Sequence, residues 1–529
     1  MEVLIVAVAG LLAVAGAAAI APRLRIAAPL ILVVLGIGIS VLPFVPDIEI
    51  DPEWILAGVL PPLLYSAAVA MPAMNFRREF TAIRGLAVAL VVLSAVVLGV
   101  FFSWAIPGLD IWWGIALGAI VSPTDAVATS IVRRVGVSGR VSSVLAGESL
   151  LNDATALVLL RSAIAGTAAT MTMRHIAFDF VYAVAVALFF GVVVGRLNLW
   201  IRSKVADSTV NTIISFTVPF LASIPAELLD ASGLVAAVVA GLVTGHGAPR
   251  VLPPRHRQSD TQSWHTVELV LEGAIFLLMG LELSAIVGDV GETHTGLGTA
   301  AAVAAGALVL VLVVRAAYIA PLLVALARGT RRRTGRKASS KLAQQSPEVR
   351  RRVRADIDYF RAAPLGWRDG AVLVWAGMRG AVTLAAAQTL PSDTPDRSLL
   401  VLVAFLVAAA SLLIQGGTLG AFVRWVRPTE PEDDPWRAAA LTDLLIEVRD
   451  DVLAATPAEE REPVEPGPLV AGHISLSPAL SRRVLDAQRH ALLDARDDGL
   501  YDAELLEAAL VRLDAAQISI ELRDGRAED

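Results

Sequence analysis

The sequence predicts an all-α polytopic membrane protein, and three features predict it. Of its 529 residues, 56% are hydrophobic, a larger share than ordinary soluble domains carry. Apolar stretches recur from the first residues to about Arg424, each long enough at roughly 20 residues to cross a hydrocarbon core. The charges between those stretches sort by side. A β-barrel would show short alternating segments instead.

Thirteen spans are expected, over residues 3–21, 27–45, 53–72, 83–106, 111–132, 141–166, 176–195, 208–225, 231–248, 266–286, 297–327, 369–390 and 398–424. Pro, Gly and charged residues punctuate the gaps. The opening stretch MEVLIVAVAGLLAVAGAAAIA carries Glu2 and no basic n-region, so it reads as a retained helix rather than a cleaved signal. Taken alternately, the loops at 22–26, 75–84, 133–140, 196–204, 250–257 and 328–368 hold 27 Lys plus Arg. The other loops (46–53, 107–110, 167–175, 226–230, 287–296 and 391–397) hold only Arg174 and Arg397 against eleven acids. The positive-inside rule places the basic set in the cytoplasm. The N-terminus is then outside and the C-terminus inside a cell membrane.

The chain divides into a transmembrane domain, 1–427, and a mostly acidic cytoplasmic helical tail, 428–529. Within the first, 328–368 is a basic cytoplasmic loop suited to lying near anionic headgroups. In the tail, SPALSRRVLDAQRHALLDARDDG opens on a Ser cap and stops at Gly499. The following stretch carries Leu506, Leu510 and Leu513 on one helical face. A helical hairpin packing on a sister subunit or on the membrane domain is expected, with a regulatory role open.

Several classes are excluded. There are no cysteines, so no disulfide or thiolate metal site. The seven histidines show no metal-ligand spacing. No nucleotide-binding motif appears, and no enzyme activity, bound cofactor or nucleic-acid partner is expected.

An ionisable side chain at the bilayer centre costs about 2.5–3.5 kcal/mol on insertion scales and needs a reason. Deep candidates are Asp125, Glu148, Asp153, Glu272, Glu282, Arg315 and Arg379. In SPTDAVA, Pro123 lacks an amide hydrogen and disfavours helix at Ser122. A break at membrane depth survives only where it is buried or lines a cavity. Its freed carbonyls, the hydroxyls of Ser122 and Thr124 and the Asp125 carboxylate are possible cation ligands; an ordinary proline kink is the plain alternative. In GESLLNDATALV, Ser149 and Asp153 share a helix face, with Asn152 beside them and Glu148 in the neighbouring row. In WAGMRGAVTLAAA, Arg379 stays charged and demands a carboxylate, which Glu148 or Asp125 could supply. Gly377 and Gly380 suggest close packing or a second break. Paired interruptions in the fifth and twelfth spans point to an inverted-repeat transporter with a midplane site. Glu272, Glu282 and Arg315 read as a structural Glu–Arg pair plus one interfacial Glu.

These three stretches, at 122–128, 147–158 and 375–387, resemble the signatures of the monovalent cation:proton antiporters of the sodium/proton exchanger (NhaP) type. LPPLLYSAA at 60–68 and LEGAIFLLMGLEL at 271–283 are similar to further segments of that family. The resemblance implies thirteen helices, two six-helix inverted repeats with discontinuous crossing helices, and a homodimer in the lipid bilayer. It implies that Asp153 binds cation or proton, and that Thr124, Asp125 and Ser149 complete the Na+ site. Asn152 would hold the broken helix, and Glu148 with Arg379 would form a buried structural pair. Many members carry an acidic residue where this chain has Ser66, which leaves the site less negative.

The expected activity is exchange of Na+, or alternatively Li+ or K+, for H+ in pH homeostasis. A buried carboxylate is costly when ionised and empty, so a proton or a desolvated cation held by hard oxygens can neutralise it in turn. Asn152, rather than a second Asp, goes with electroneutral exchange in the family. A cation channel and a non-transporting membrane sensor are the rival readings.

Overall fold

The computed structural model describes residues 2–24, 26–42, 53–167, 173–283, 286–287, 297–333, 346–362, 364–428, 435–457 and 477–525. Among them every regular element is a helix. Parts of the loops read at 46–53, 167–175, 287–296 and 328–368 lie outside the described residues.

The first seven helices are α1 (Glu2–Leu24), α2 (Ala28–Ser40), α3 (Trp54–Ala70), α4 (Ala73–Ala105), α5 (Ile111–Val121), α6 (Val127–Val135) and α7 (Gly139–Thr167). Next come α8 (Met173–Arg202), α9 (Ser208–Glu227), α10 (Gly233–Val251), α11 (Pro254–Leu281) and α12 (Leu297–Arg333). The chain ends with α13 (Pro347–Ala362), α14 (Trp367–Trp375), α15 (Ala381–Gln388), α16 (Arg397–Val426), α17 (Pro435–Ala454), α18 (Pro478–Asp498) and α19 (Ala503–Gly525). Among the described residues nine helices are long and apolar enough to cross a membrane, and α2, α3 and α5 are shorter apolar helices.

The membrane helices pack as two groups. In one, α10 lies against α8, α9 and α3, while α11 lies against α2, α1 and α9. In the other, α5 packs on α4 and α7, α12 packs on α4, α14 and α16, and α15 packs on α16. Small residues let helices approach closely where lipid offers no hydrophobic drive to association. At the α2–α11 crossing, Gly36 and Gly280 face each other, and a Cβ on Gly280 would stand 2.7 Å from the Cα of Gly36.

Several basic loops are helix. The segment 75–84 forms the first turns of α4, because its polar residues are inward ties: Arg140 on α7 pairs with Glu79 at 2.6 Å, both buried. Residues 250–257 shrink to a short link, and α11 starts well before the span expected at 266–286. The cause is a polar cluster: Arg202 bonds Asn211 at 2.6 Å, Ser215 at 3.2 Å and Asp260 at 2.9 Å. Trp264 donates to Ser215 at 2.9 Å and His256 meets Asn211 at 3.0 Å. With its fork satisfied on three sides, Arg202 can be fully buried where α8, α9 and α11 meet.

Among the described residues the tail contains three helices rather than two. Leu441 of α17, Leu492 of α18 and Leu506 and Leu513 of α19 share its core. Ser477 caps α18 by accepting from Leu480 N at 3.3 Å, and Gly499 ends it at φ +72°. Acidic groups of the tail meet the basic face: Arg250 pairs with Asp497 at 2.7 Å and Arg352 with Asp498 at 3.0 Å, while Arg257 pairs with Asp514.

The α2–α11 contact yields a paired prediction. Gly280→Leu should lower stability by about 1–3 kcal/mol through overpacking, read as a lower thermal midpoint of the detergent-solubilised protein. Gly38→Leu, which meets nothing within 4 Å, should leave that midpoint unchanged.

Candidate functional site

Two interrupted helices cross at the centre of the second helix group. The chain leaves helical geometry at 122–126, between α5 and α6, and again at 376–380, between α14 and α15. Pro123 removes an amide at the first break. At the crossing, Asp125 N donates to Met378 O at 2.8 Å, so each break supplies the other with a hydrogen-bond partner. The approach demands small residues. A Cβ on Gly380 would overlap the Asp125 carboxylate, and one on Gly377 would overlap the Arg315 guanidinium.

Arg379 meets the freed carbonyls rather than a carboxylate. Its Nε donates to Val121 O at 3.0 Å and its guanidinium to Ser122 O at 3.2 Å and to Gly377 O. These carbonyls lie at the C-terminal ends of α5 and α14, where unsatisfied acceptors and the helix dipole favour a cation. The carbonyls of Val121 and Ser122 that the broken helix frees are thus occupied by a resident cation.

The expected Glu148–Arg379 pair is therefore corrected. Glu148 is gripped by both terminal nitrogens of Arg315 on α12, one of them at 2.8 Å. Arg315 also donates from Nε to Leu373 O at 2.8 Å. The reason is geometric: Arg315 presents a two-pronged fork to the carboxylate, whereas the Arg379 fork is filled by backbone. The expected pairing of Arg315 with Glu272 or Glu282 is corrected too. Glu282 instead accepts from Gln388 at 2.8 Å, and Glu272 is half-buried on α11.

Thr124 joins the first break to α7. Its hydroxyl donates to Glu148 at 3.2 Å and accepts from Asn152 at 2.8 Å. Asn152 donates to Thr124 O as well, at 3.0 Å, while its buried Oδ1 has no partner among the described residues. Asp125 is half-buried, and its Oδ1 accepts from Val127 N at 2.9 Å, at the start of α6.

Ser149 and Asp153 are both buried, one turn apart on α7. Asp153 shares a small cavity with Pro123, Ala119, Ile120 and Val382, so it faces the first break. Its carboxylate makes no hydrogen bond or ion pair among the described residues, and Asp125 is within electrostatic reach. Direct contacts thus join Thr124, Glu148 and Asn152, while Ser149 makes no hydrogen bond to them among the described residues. Ser66 is buried on α3.

Sequence reasoning missed a brace on α16. Ser411 accepts from Arg379 N at 3.0 Å and donates to Gln415, which donates to Trp375 O at 3.0 Å. Two polar residues four apart in an otherwise apolar span were the available signal. The helix is π-wound over Leu412–Gly416, a distortion frequent at functional sites.

The model of the family described as sodium/hydrogen exchanger, transmembrane, matches residues 9–425. An uncharacterized Na+/H+ exchanger of Mycobacterium tuberculosis is 28% identical, over 98% of this chain and 96% of its own length. The Na+/H+ antiporter NhaP of Pseudomonas aeruginosa is 27% identical, over 72% of this chain and 82% of its own. Among solved structures, the sodium proton antiporter MjNhaP1 of Methanocaldococcus jannaschii has a similar fold. Its TM-score is 0.58 at 16% identity, covering 80% of this chain and 99% of that one.

The Glu148–Arg315 geometry carries a stability prediction. Arg315→Gln should cost about 3–5 kcal/mol by stranding a buried carboxylate, read as lost monodispersity after mild heating. Adding Glu148→Gln should recover part of that loss, since both charges are then gone.

Proposed function

Because this chain belongs to the sodium/hydrogen exchanger family, we propose that it is a secondary antiporter exchanging Na+ for H+ at Asp153. The supporting observation is the state of that residue. Three carboxylates surround the first break. Glu148 is neutralised by Arg315, and Asp125 accepts from Val127 N. Asp153 alone of the three is buried without a hydrogen-bonding or ionic partner among the described residues, on a cavity beside the broken helix.

An ion leaving water for such a place needs replacement oxygens, and a carboxylate left empty there is costly. A proton on Asp153 removes that cost, and so does a desolvated Na+. In the second case the carboxylate is assisted by the unpartnered Asn152 Oδ1, the Ser149 hydroxyl and the Asp125 carboxylate. Thr124 contributes through its remaining lone pair, because its hydroxyl hydrogen is committed to Glu148. Either occupant neutralises the site, so the loaded site crosses an apolar barrier that the empty one does not. Competition for one carboxylate then couples the two flows without a covalent step.

Neutral Asn152 beside Asp153 and the engaged Glu148–Arg315 pair leave one carboxylate to change its occupant. This favours one cation per proton and no net charge movement. The reading includes thirteen spans in two inverted repeats, a homodimer, an outside N-terminus and a cytoplasmic tail. Li+ and K+ are the alternative cations.

Proteoliposomes carrying an internal pH dye test this. Na+ addition should move the internal pH in the native protein and leave it at baseline in Asp153→Asn. Na+, Li+ and K+ run in parallel rank the cations, and no response to any of them defeats the proposal. A second measurement concerns charge. Clamping the membrane voltage should leave the Na+-driven rate unchanged, and a rate that follows voltage refutes the electroneutral form.

A further inference from the structure

A cleft of about 570 Å3 opens between α13 and the turn joining α18 to α19, away from the crossing helices. Arg350, Arg354 and Tyr359 of α13 line one side, Gly499 and Tyr501 of the tail the other, and Arg78 of α4 the floor. Three polypeptide segments far apart in sequence thus converge on it.

The arginines of the cleft are not equally engaged. Arg78 is a fixture: it bonds Asp356 and the Gly499 carbonyl, each at 2.7 Å, with its guanidinium 4.5 Å from the Tyr359 ring centre. Arg351 also borders the cleft and has Asp498 at 3.5 Å. Arg350 and Arg354 make no ion pair among the described residues. They stand four residues apart, on the same face of α13, where like charges repel one another. Asp358 and Asp502 line the cleft as well, and Asp358 forms no ion pair with these two arginines among the described residues.

Two guanidinium forks without an ionic partner among the described residues, beside a third that is held in place, suit an acceptor-rich anion with more than one negative oxygen. Arginine matches phosphate in this way, by parallel N–H···O bonds. The volume is that of a small-molecule site. We propose that this cleft is a binding site for a phosphate-bearing anion, held chiefly by Arg350 and Arg354. The anion bridges α13 to the elbow of the tail. The phosphate comes either from a soluble compound or from an anionic lipid headgroup, since both present the same chemistry.

The test uses the full-length protein in neutral detergent. It is titrated with inorganic pyrophosphate, and separately with phosphatidylglycerol or phosphatidylcholine in mixed micelles, and the thermal midpoint is followed. Ligand that binds only the folded protein raises that midpoint. A saturable rise is expected, with half-saturation about tenfold weaker in R350Q/R354Q, the loss appropriate to charge-assisted bonds. The double variant R134Q/R424Q removes the same charge at two exposed positions elsewhere and should titrate like the native protein. A response to pyrophosphate assigns a soluble phosphate compound, and a response to phosphatidylglycerol alone assigns the headgroup. No rise with either probe, or equal weakening in both double variants, overturns the site.

Discussion

A helix broken inside a membrane protein leaves amides and carbonyls that cannot turn to water, and everything at this protein's centre answers that constraint. Asp125 N and Met378 O satisfy each other across the two breaks. Arg379 gathers carbonyls from both, and Asn152 takes the carbonyl of Thr124. Ser411 and Gln415 tie the second break to α16. Because these partners come from α5, α7, α14 and α16, the breaks also set how those helices pack. The glycines at 377 and 380 follow from the same constraint, since side chains there would enter the space of Arg315 and Asp125.

The constraint sorts the charged groups. An arginine with its fork filled by backbone carbonyls cannot also grip a carboxylate, so Glu148 is served by Arg315 from a different helix. A buried pair of this kind gains little net stability over an apolar replacement, because desolvation offsets the attraction. What it does here is hold α7 and α12 in register while engaging Thr124. Asp153, one turn beyond Ser149 on the same helix, is left beside Pro123 with no such engagement among the described residues. Two carboxylates on one helix thus differ by which neighbours the folded chain provides, not by their charge.

Away from the centre the same logic recurs at the helix ends. The Glu79–Arg140 pair and the Arg202 cluster are charged groups in segments that a hydropathy reading assigns to loops. Their hydrogen bonds allow burial, and burial extends α4, α8 and α11 past their apolar stretches. The basic face formed by the remaining arginines is partly covered by acidic groups of the tail, with Asp497 and Asp498 at the foot of α18 among them. Most of these pairs are solvent-exposed, and each adds little by itself.

The sequence by itself determined the helical membrane class, the first break and the polar residues around it. Each of these is a local property: apolar runs of spanning length, a proline beside an aspartate, a four-residue spacing along one helix. The tail helix from Pro478 to Asp498 was legible for the same reason, through its Ser cap and Gly stop. Only the tertiary structure decided the partners. Arg315 lies 167 residues from Glu148 and Val121 lies 258 from Arg379, and nothing local distinguishes one buried arginine from the other. Their assignment depends on which fork meets carbonyls and which meets a carboxylate once the helices cross, and that is a matter of three-dimensional approach.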